Sequence, residues 1–316
     1  MLVALPFSAR AQTGKIFRIG FLDQSTASGS AVRLEAFWEE IRRLGWIEGK
    51  NITVESRFAE QKSERLPELA ADLVRLKVDL IVAAGTSPAL AAKSATTTIP
   101  IVMTNSADPV GAGLVASLAW PGGNVTGVSG LASQLNTKRL EILKDAVPKL
   151  ARVGLLRTPE TTPGVDLQLK EIRPAAVALK LKLEEIKTQL DAKGFEIAFQ
   201  TATQKQVKAI LTISSPRFFA ERKRIIDLAS KYRLPAIYYQ KEFVDEGGLM
   251  SYGVDFDELV RNAAHYVDKI LKGAKPADLP VQQATKFEFV INLKAAKQIG
   301  VTMPPDVLAR ANRVIR

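Results

Sequence analysis

The strongest constraint on this chain is a rhythm. From Lys15 onward, short apolar runs alternate with longer amphipathic stretches, almost without interruption. Lys15–Leu22 (KIFRIGFL) predicts a strand, and the spacing of Leu34, Phe37, Trp38 and Ile41 predicts a helix over 30–44, with Gly45 to end it. Asn51–Phe58 alternates as a strand, and Ser63 precedes the stripe Leu66, Leu69, Ala70, Leu73 and Val74. Asp79–Ala84 predicts a buried strand, and Ser87-Pro88 predicts the start of a helix, where a missing N–H costs nothing. Ile99–Thr104 predicts another strand, and Asp108-Pro109 is expected to open a further helix. After the turn cluster Trp120–Asn124 the rhythm resumes at 124–130 and 133–146.

A second series follows. Strands are predicted at 152–156, 181–187, 207–213, 235–239 and 248–252, with helices at 163–179, 191–203 and 217–231. Asp255 and Glu258 form a capping-box-like start to a helix reaching Lys272, and a strand at 286–292 leads into a helix at 293–299. Two such series predict an α/β protein of two doubly wound, Rossmann-like lobes. No low-complexity tether separates them, so short extended crossovers are expected. The expected division is 15–125 with 254–282 in the first lobe, and 126–253 with 283–316 in the second.

Composition removes several kinds of chemistry. The chain has no cysteine, which excludes disulfides, thiolate metal sites and thiol nucleophiles. Its single histidine, His265, falls on the polar face of its helix and reads as a solvated surface residue. No His, Asp or Glu spacing suits a metal, no GxGxxG follows the first strand, and Pro121–Asn124 lacks the Lys-Ser/Thr of a phosphate loop. Neither metal nor cofactor is expected, and an enzyme is disfavoured. The net charge of +11 is dispersed along the chain, so it predicts solubility and no nucleic-acid partner. No apolar run approaches the roughly 20 residues of a membrane span. At the start, residues 1–14 read as a signal-peptide remnant and tail, with Ala9-Arg10-Ala11 predicting cleavage after Ala11.

In open α/β sheets ligands sit beyond the carboxyl ends of the strands. The loops there supply the candidate ligand-binding residues: Asp23, Gln24 and Ser25 after the first strand, Gly85, Thr86 and Ser87 after the third, Asn105 and Asp108 after the fourth. The second series offers Arg157, Ser214, Tyr238, Tyr239 and Tyr252. Gly85-Thr86-Ser87 leads into a helix N-terminus, which suits an anion and equally suits simple capping. Alternation allows only one of Tyr238 and Tyr239 to line a cleft.

Several long stretches carry a family resemblance: LGWIEGKNITVE, ERLPELAADLVRLKVDLIVAAGTSPALAAKSATTTIPIV, DPVGAGLVASLAWPGGNVTGVS, LPAIYYQKEFVDEGGLMSYG and YVDKILKGAKPADLPVQQATKFEFVINLKAAKQIG. From about Ile16 to the end the chain resembles the ABC-transporter substrate-binding family that includes tryptophan-binding lipoproteins of TrpX type. The resemblance implies a type I periplasmic-binding-protein fold, with crossovers near 125–130, 251–255 and 280–286 and a ligand in the inter-lobe cleft. It implies cleft residues at Asp23–Ser25, Thr86-Ser87, the loop before Asp108, Tyr238 and Tyr252, with Asn105 and Tyr239 as specificity positions. It also implies docking of a monomer onto membrane permease subunits. Without a lipid-accepting cysteine, a free periplasmic form is expected, capturing a small organic ligand such as an amino acid or related carboxylate. The alternative on the same fold is a ligand-sensing receptor or regulator.

Overall fold

The computed structural model describes residues 15–159 and 163–316; the expected cleavage after Ala11 lies outside them. The first series is β1 (Phe17–Asp23), α1 (Ala27–Arg43), β2 (Ile52–Phe58), α2 (Leu66–Arg75), β3 (Leu80–Ala84), α3 (Thr86–Ala95), β4 (Ile101–Ser106) and β5 (Val125–Ser129). The second is α4 (Ala132–Ala146), β6 (Arg152–Arg157), α5 (Pro163–Ala178), β7 (Lys182–Lys187), α6 (Ala192–Gln204), β8 (Ala209–Thr212), α7 (Pro216–Ala220), α8 (Arg222–Lys231), β9 (Ala236–Tyr238), α9 (Lys241–Asp245) and β10 (Met250–Val254). The chain then adds α10 (Phe256–Leu271), β11 (Gln282–Gln283), β12 (Phe287–Asn292), α11 (Leu293–Ile299), α12 (Pro305–Ala309) and β13 (Arg313–Ile315).

These strands form two sheets, in the orders β11-β5-β4-β3-β1-β2 and β13-β12-β10-β9-β8-β6-β7. The first is parallel throughout. The second is parallel except where β10 meets β12 antiparallel. In β3, Leu80 and Val82 join the cluster that holds Phe37 and Ile41 of α1, while Ile81 and Ala83 join that of Ala70 and Leu73 of α2. A strand covered on both faces must be apolar at every position, which is why β3 reads as an uninterrupted run.

The chain visits the first lobe twice. After β10, Asp255 caps α10 by accepting from Glu258 N at 3.1 Å. Helix α10 packs along α1 and over β4 and β5. Trp46 Nε1 donates to Asp268 at 2.9 Å across this seam. His265 Nε2 lies 3.1 Å from an oxygen of buried Glu40 across the α1–α10 interface, while its own side chain stays 43% exposed at the surface as expected. The crossovers are therefore 130–131, 255 and 284–286. Strand β5 lies wholly in the first sheet, so the chain leaves that sheet after Ser129 and not at Val125.

Two expected helices differ. No helix follows Asp108-Pro109: Asp108 Oδ1 accepts from Gly111 N at 2.8 Å, and the segment turns repeatedly, with Gly113 at φ 68°. The helix expected over 217–231 is two, α7 and α8, which break at Glu221. Among the described residues no helix is long and apolar enough to cross a membrane.

The lobes touch. A Cβ placed on Gly29 of α1 would lie 2.6 Å from the Cβ of Ala220 in α7, and one on Gly164 would lie 3.7 Å from Thr86 Cβ. Contacts this close, one made possible by a missing side chain, define a closed arrangement of the two lobes.

Because α10 closes the first core from a distant part of the chain, Leu259→Ala should cost about 2–5 kcal/mol by urea denaturation. A loss below about 1 kcal/mol would show that α10 does not complete that core.

Candidate functional site

Strand orders decide where a crevice opens. In the first sheet β1 lies between β2 and β3; in the second, β6 lies between β7 and β8. At such switch points neighbouring connections leave to opposite faces, and the strand ends between them stay uncovered. The two uncovered edges face each other across the closed lobes and enclose a cavity of about 990 Å³, solvent at its mouth included.

Its polar wall from the first lobe is Asp23, Gln24, Gly85, Thr86, Ser87 and Asn105. Asp23 is buried where β1 ends; its Oδ1 accepts from Ser25 N at 2.9 Å and its Oδ2 from Ser30 Oγ at 2.6 Å. Gln24 Nε2 donates to Ser63 Oγ at 2.5 Å. Gly85 caps α3 at φ 106° and ψ 177°, a conformation essentially reserved for glycine. Thr86 Oγ1 accepts from Ala107 N at 3.1 Å and lies 3.3 Å from Ser106 Oγ, fastening α3 to the end of β4. The Thr86 hydroxyl is thus already engaged, which leaves Ser87 and the first N–H groups of α3 as the donors at the cavity edge. Asn105 Oδ1 is buried beside Gly130 of the first crossover and has no hydrogen-bond partner among the described residues.

The second lobe contributes Thr158, Gln168, Ser214, Ser215 and Arg217. Gln168 Oε1 accepts from Ser214 N at 2.8 Å, and its Nε2 donates to Ser214 O at 2.9 Å. Ser215 caps α7, its Oγ accepting from Arg217 N at 3.2 Å. The apolar wall comes from Phe21, Leu34, Phe37, Phe256 and Val260 of the first lobe and Val165 of the second. Among the residues lining the cavity, Asp23 and Arg217 are the ionisable ones, and both are buried. No group of three His, Cys, Asp or Glu able to hold a metal occurs among the described residues.

Seven of the sequence-predicted residues line the cavity: Asp23, Gln24, Gly85, Thr86, Ser87, Asn105 and Ser214. The other six do not. Ser25 is buried within the loop after β1. Asp108 is spent on its own turn. Arg157 is tied to Glu185 at 2.9 Å and to Thr158 O at 2.9 Å. Tyr238 stacks on Phe243 with ring centres 4.6 Å apart, and burial pushes its phenol pKa up. Tyr239 donates its hydroxyl to Ser215 O at 2.5 Å, so it supports the cavity wall from behind. Tyr252 packs against Phe287 and Phe289 on the β10–β12 pair. Sequence reasoning missed Ser30, Gln168, Arg217 and Phe256. Arg217 carried the one usable signal, since it follows Ser215-Pro216 at the start of a helix directly after a strand.

The model of the family described as ABC transporter substrate binding protein matches residues 30–315. A tyrosine-binding protein of Clostridioides difficile (strain R20291) is 28% identical over 268 residues, covering 84% of this chain and 76% of that protein. Among solved structures, a conserved domain protein of Vibrio cholerae is 29% identical with a TM-score of 0.86, covering 95% of this chain and all of that one. An ABC domain from Streptococcus pneumoniae, in complex with L-Trp, is 26% identical with a TM-score of 0.83 at the same coverage.

The Gly85 conformation gives a test of the cavity floor. Gly85→Ala should destabilise the protein by roughly 1–3 kcal/mol. Thr86→Val should cost about 0.5–1.5 kcal/mol, recovered in Thr86→Ser, because the hydroxyl fastens α3 to β4. Chemical denaturation reads both, and an unchanged midpoint in Gly85→Ala would contradict the strained turn.

Proposed function

For a chain that belongs to the ABC transporter substrate-binding proteins, and so captures a solute for an ABC importer, we propose that the solute is an amino acid with a bulky apolar side chain. The observation that carries this reading is the pairing of one buried acid, Asp23, with one buried base, Arg217, around an otherwise apolar and hydroxyl-lined cavity. A zwitterion is neutral overall but needs both signs of charge. Its ammonium would meet Asp23, and its carboxylate would meet Arg217, with Ser87 and the start of α3 as further donors. The side chain would lie among Phe21, Phe37 and Phe256. The tyrosine-binding relative and the L-Trp complex support an aromatic side chain there.

In this reading the protein is a monomeric, non-catalytic binder that works in the periplasm, hands its ligand to permease subunits and takes no nucleic-acid partner. Its rigid bodies are the two sheets with their helices, and its hinge is residues 130–131, 255 and 284–286. Leu131, at φ 52°, sits in the first of these segments.

Isothermal titration with L-tyrosine, L-tryptophan, L-phenylalanine, L-leucine, glycine and D-glucose tests the proposal. An aromatic amino acid should bind tightest and the sugar not at all. Charge-assisted hydrogen bonds are worth about 1.5–3 kcal/mol, so Arg217→Met should weaken the best ligand by about tenfold to a hundredfold. Binding of the sugar with no binding of any amino acid would overturn the reading.

A further inference from the structure

Arg139 of α4 is almost wholly buried, at 2% exposure, yet no carboxylate among the described residues pairs with it. Its Nε donates to Tyr252 O at 2.6 Å, in the strand that leads to the second crossover, and its Nη1 donates to Asn136 Oδ1 at 2.8 Å. Asn136 is itself fully buried, and its Nδ2 donates to Gln168 Oε1 at 3.3 Å. Gln168 Nε2 then donates to Ser214 O at 2.9 Å and to Gly164 O at 3.2 Å, both residues of the cavity wall.

The direction of this relay is not arbitrary. A guanidinium only donates, so Asn136 must turn its oxygen toward Arg139 and its nitrogen toward Gln168. Gln168 must then present its oxygen to Asn136 and Ser214 N and its nitrogen to the wall carbonyls. Every amide dipole in the chain is aligned by one cation, and the last donor, Gln168 Nε2, ends on the carbonyls of Ser214 and Gly164 in the cavity wall. Aligned hydrogen bonds polarise one another in a low-dielectric interior.

Burying a cation without a counter-ion costs several kcal/mol, and a hydrophobic residue would fill the same space without that cost. Desolvation lowers the Arg139 pKa to about 9, which leaves the group charged at neutral pH. The ionisable groups acting on it are the phenols of Tyr239 and Tyr252. Among the described residues no carboxylate offsets the charge, so its field reaches the cavity wall.

We infer that Arg139 is a positioning residue that selects the anionic end of the solute, acting through Asn136 and Gln168 on the Ser214 wall and anchoring that wall to the hinge strand through Tyr252. The inference rests on the amino-acid reading of the cavity. Two primary amides and three hydrogen bonds of about 3 Å separate the cation from the wall. Over a span on the order of 10 Å, at an effective dielectric near 20, a unit charge changes the affinity of an anion by about tenfold.

The test compares L-tyrosine with L-tyrosinamide, which lacks the carboxylate charge, by titration calorimetry on the whole chain. Arg139→Gln removes the cation. Asn136→Asp leaves it in place but neutralises it with an isosteric carboxylate, and so guards against a misfolded Arg139 variant. Both should lose about tenfold in affinity for L-tyrosine while changing L-tyrosinamide by less than about twofold. Arg139→Lys, which keeps the charge, should retain the wild-type preference. Equal losses for both probes, or an unchanged preference in Asn136→Asp, would reduce Arg139 to a structural brace and overturn the inference. Failure of the wild-type protein to bind either probe would instead overturn the amino-acid reading on which it rests.

Discussion

Strands that run the same way end on the same edge, and no hairpin joins neighbours there. The parallel strands of each sheet here therefore carry a row of loop residues and helix starts whose polar groups point outward beyond the strands. In isolation such an edge is only a solvated rim. Two of them brought face to face exclude most of the water between them, and their polar groups acquire the strength that low dielectric confers. The cavity, its buried acid and base, and the contact of Gly29 with Ala220 all follow from that apposition.

The energetics of such a site reward closure only when something fills it. Asp23 is already held by Ser25 N and Ser30 Oγ, and Gln168 by Ser214, so the walls are organised before any solute arrives. A ligand carrying both charges, as proposed, would add a bridge between the lobes. Pre-organisation of this kind reduces the ordering cost of binding. Three short single-strand passages join the lobes, and such passages would let the bodies rotate without unfolding either core.

Much of this was legible in the residues. The alternation of apolar runs with amphipathic helices locates nearly every strand and helix, because a strand buried on both faces has no choice but Val, Ile, Leu or Ala. The strand-end rule found Asp23, Gly85, Thr86, Asn105 and Ser214 for the same reason. It failed for Tyr238, Tyr239 and Tyr252, since alternation says which face of a sheet a side chain takes, not whether that face meets a helix or a cleft. Asp108-Pro109 looked like a helix start, but two closely following glycines keep the chain turning. Arg139 was invisible among 44 Lys and Arg, because burial of a cation is a property of tertiary packing, whereas Arg217 carried only its place after Ser215-Pro216 at a helix start.

The central claim is that the two lobes close on a solute held between them. The absence of cysteine makes it directly measurable, since two introduced cysteines become the sole labelling positions. Spin labels at Glu35→Cys on α1 and Lys223→Cys on α8, both exposed and on different lobes, report the inter-lobe distance by pulsed dipolar spectroscopy. Saturation with the tightest-binding amino acid should shorten and narrow the distance distribution relative to the ligand-free protein. An identical distribution in the two samples, with binding verified by calorimetry on the same labelled protein, would contradict closure around the solute.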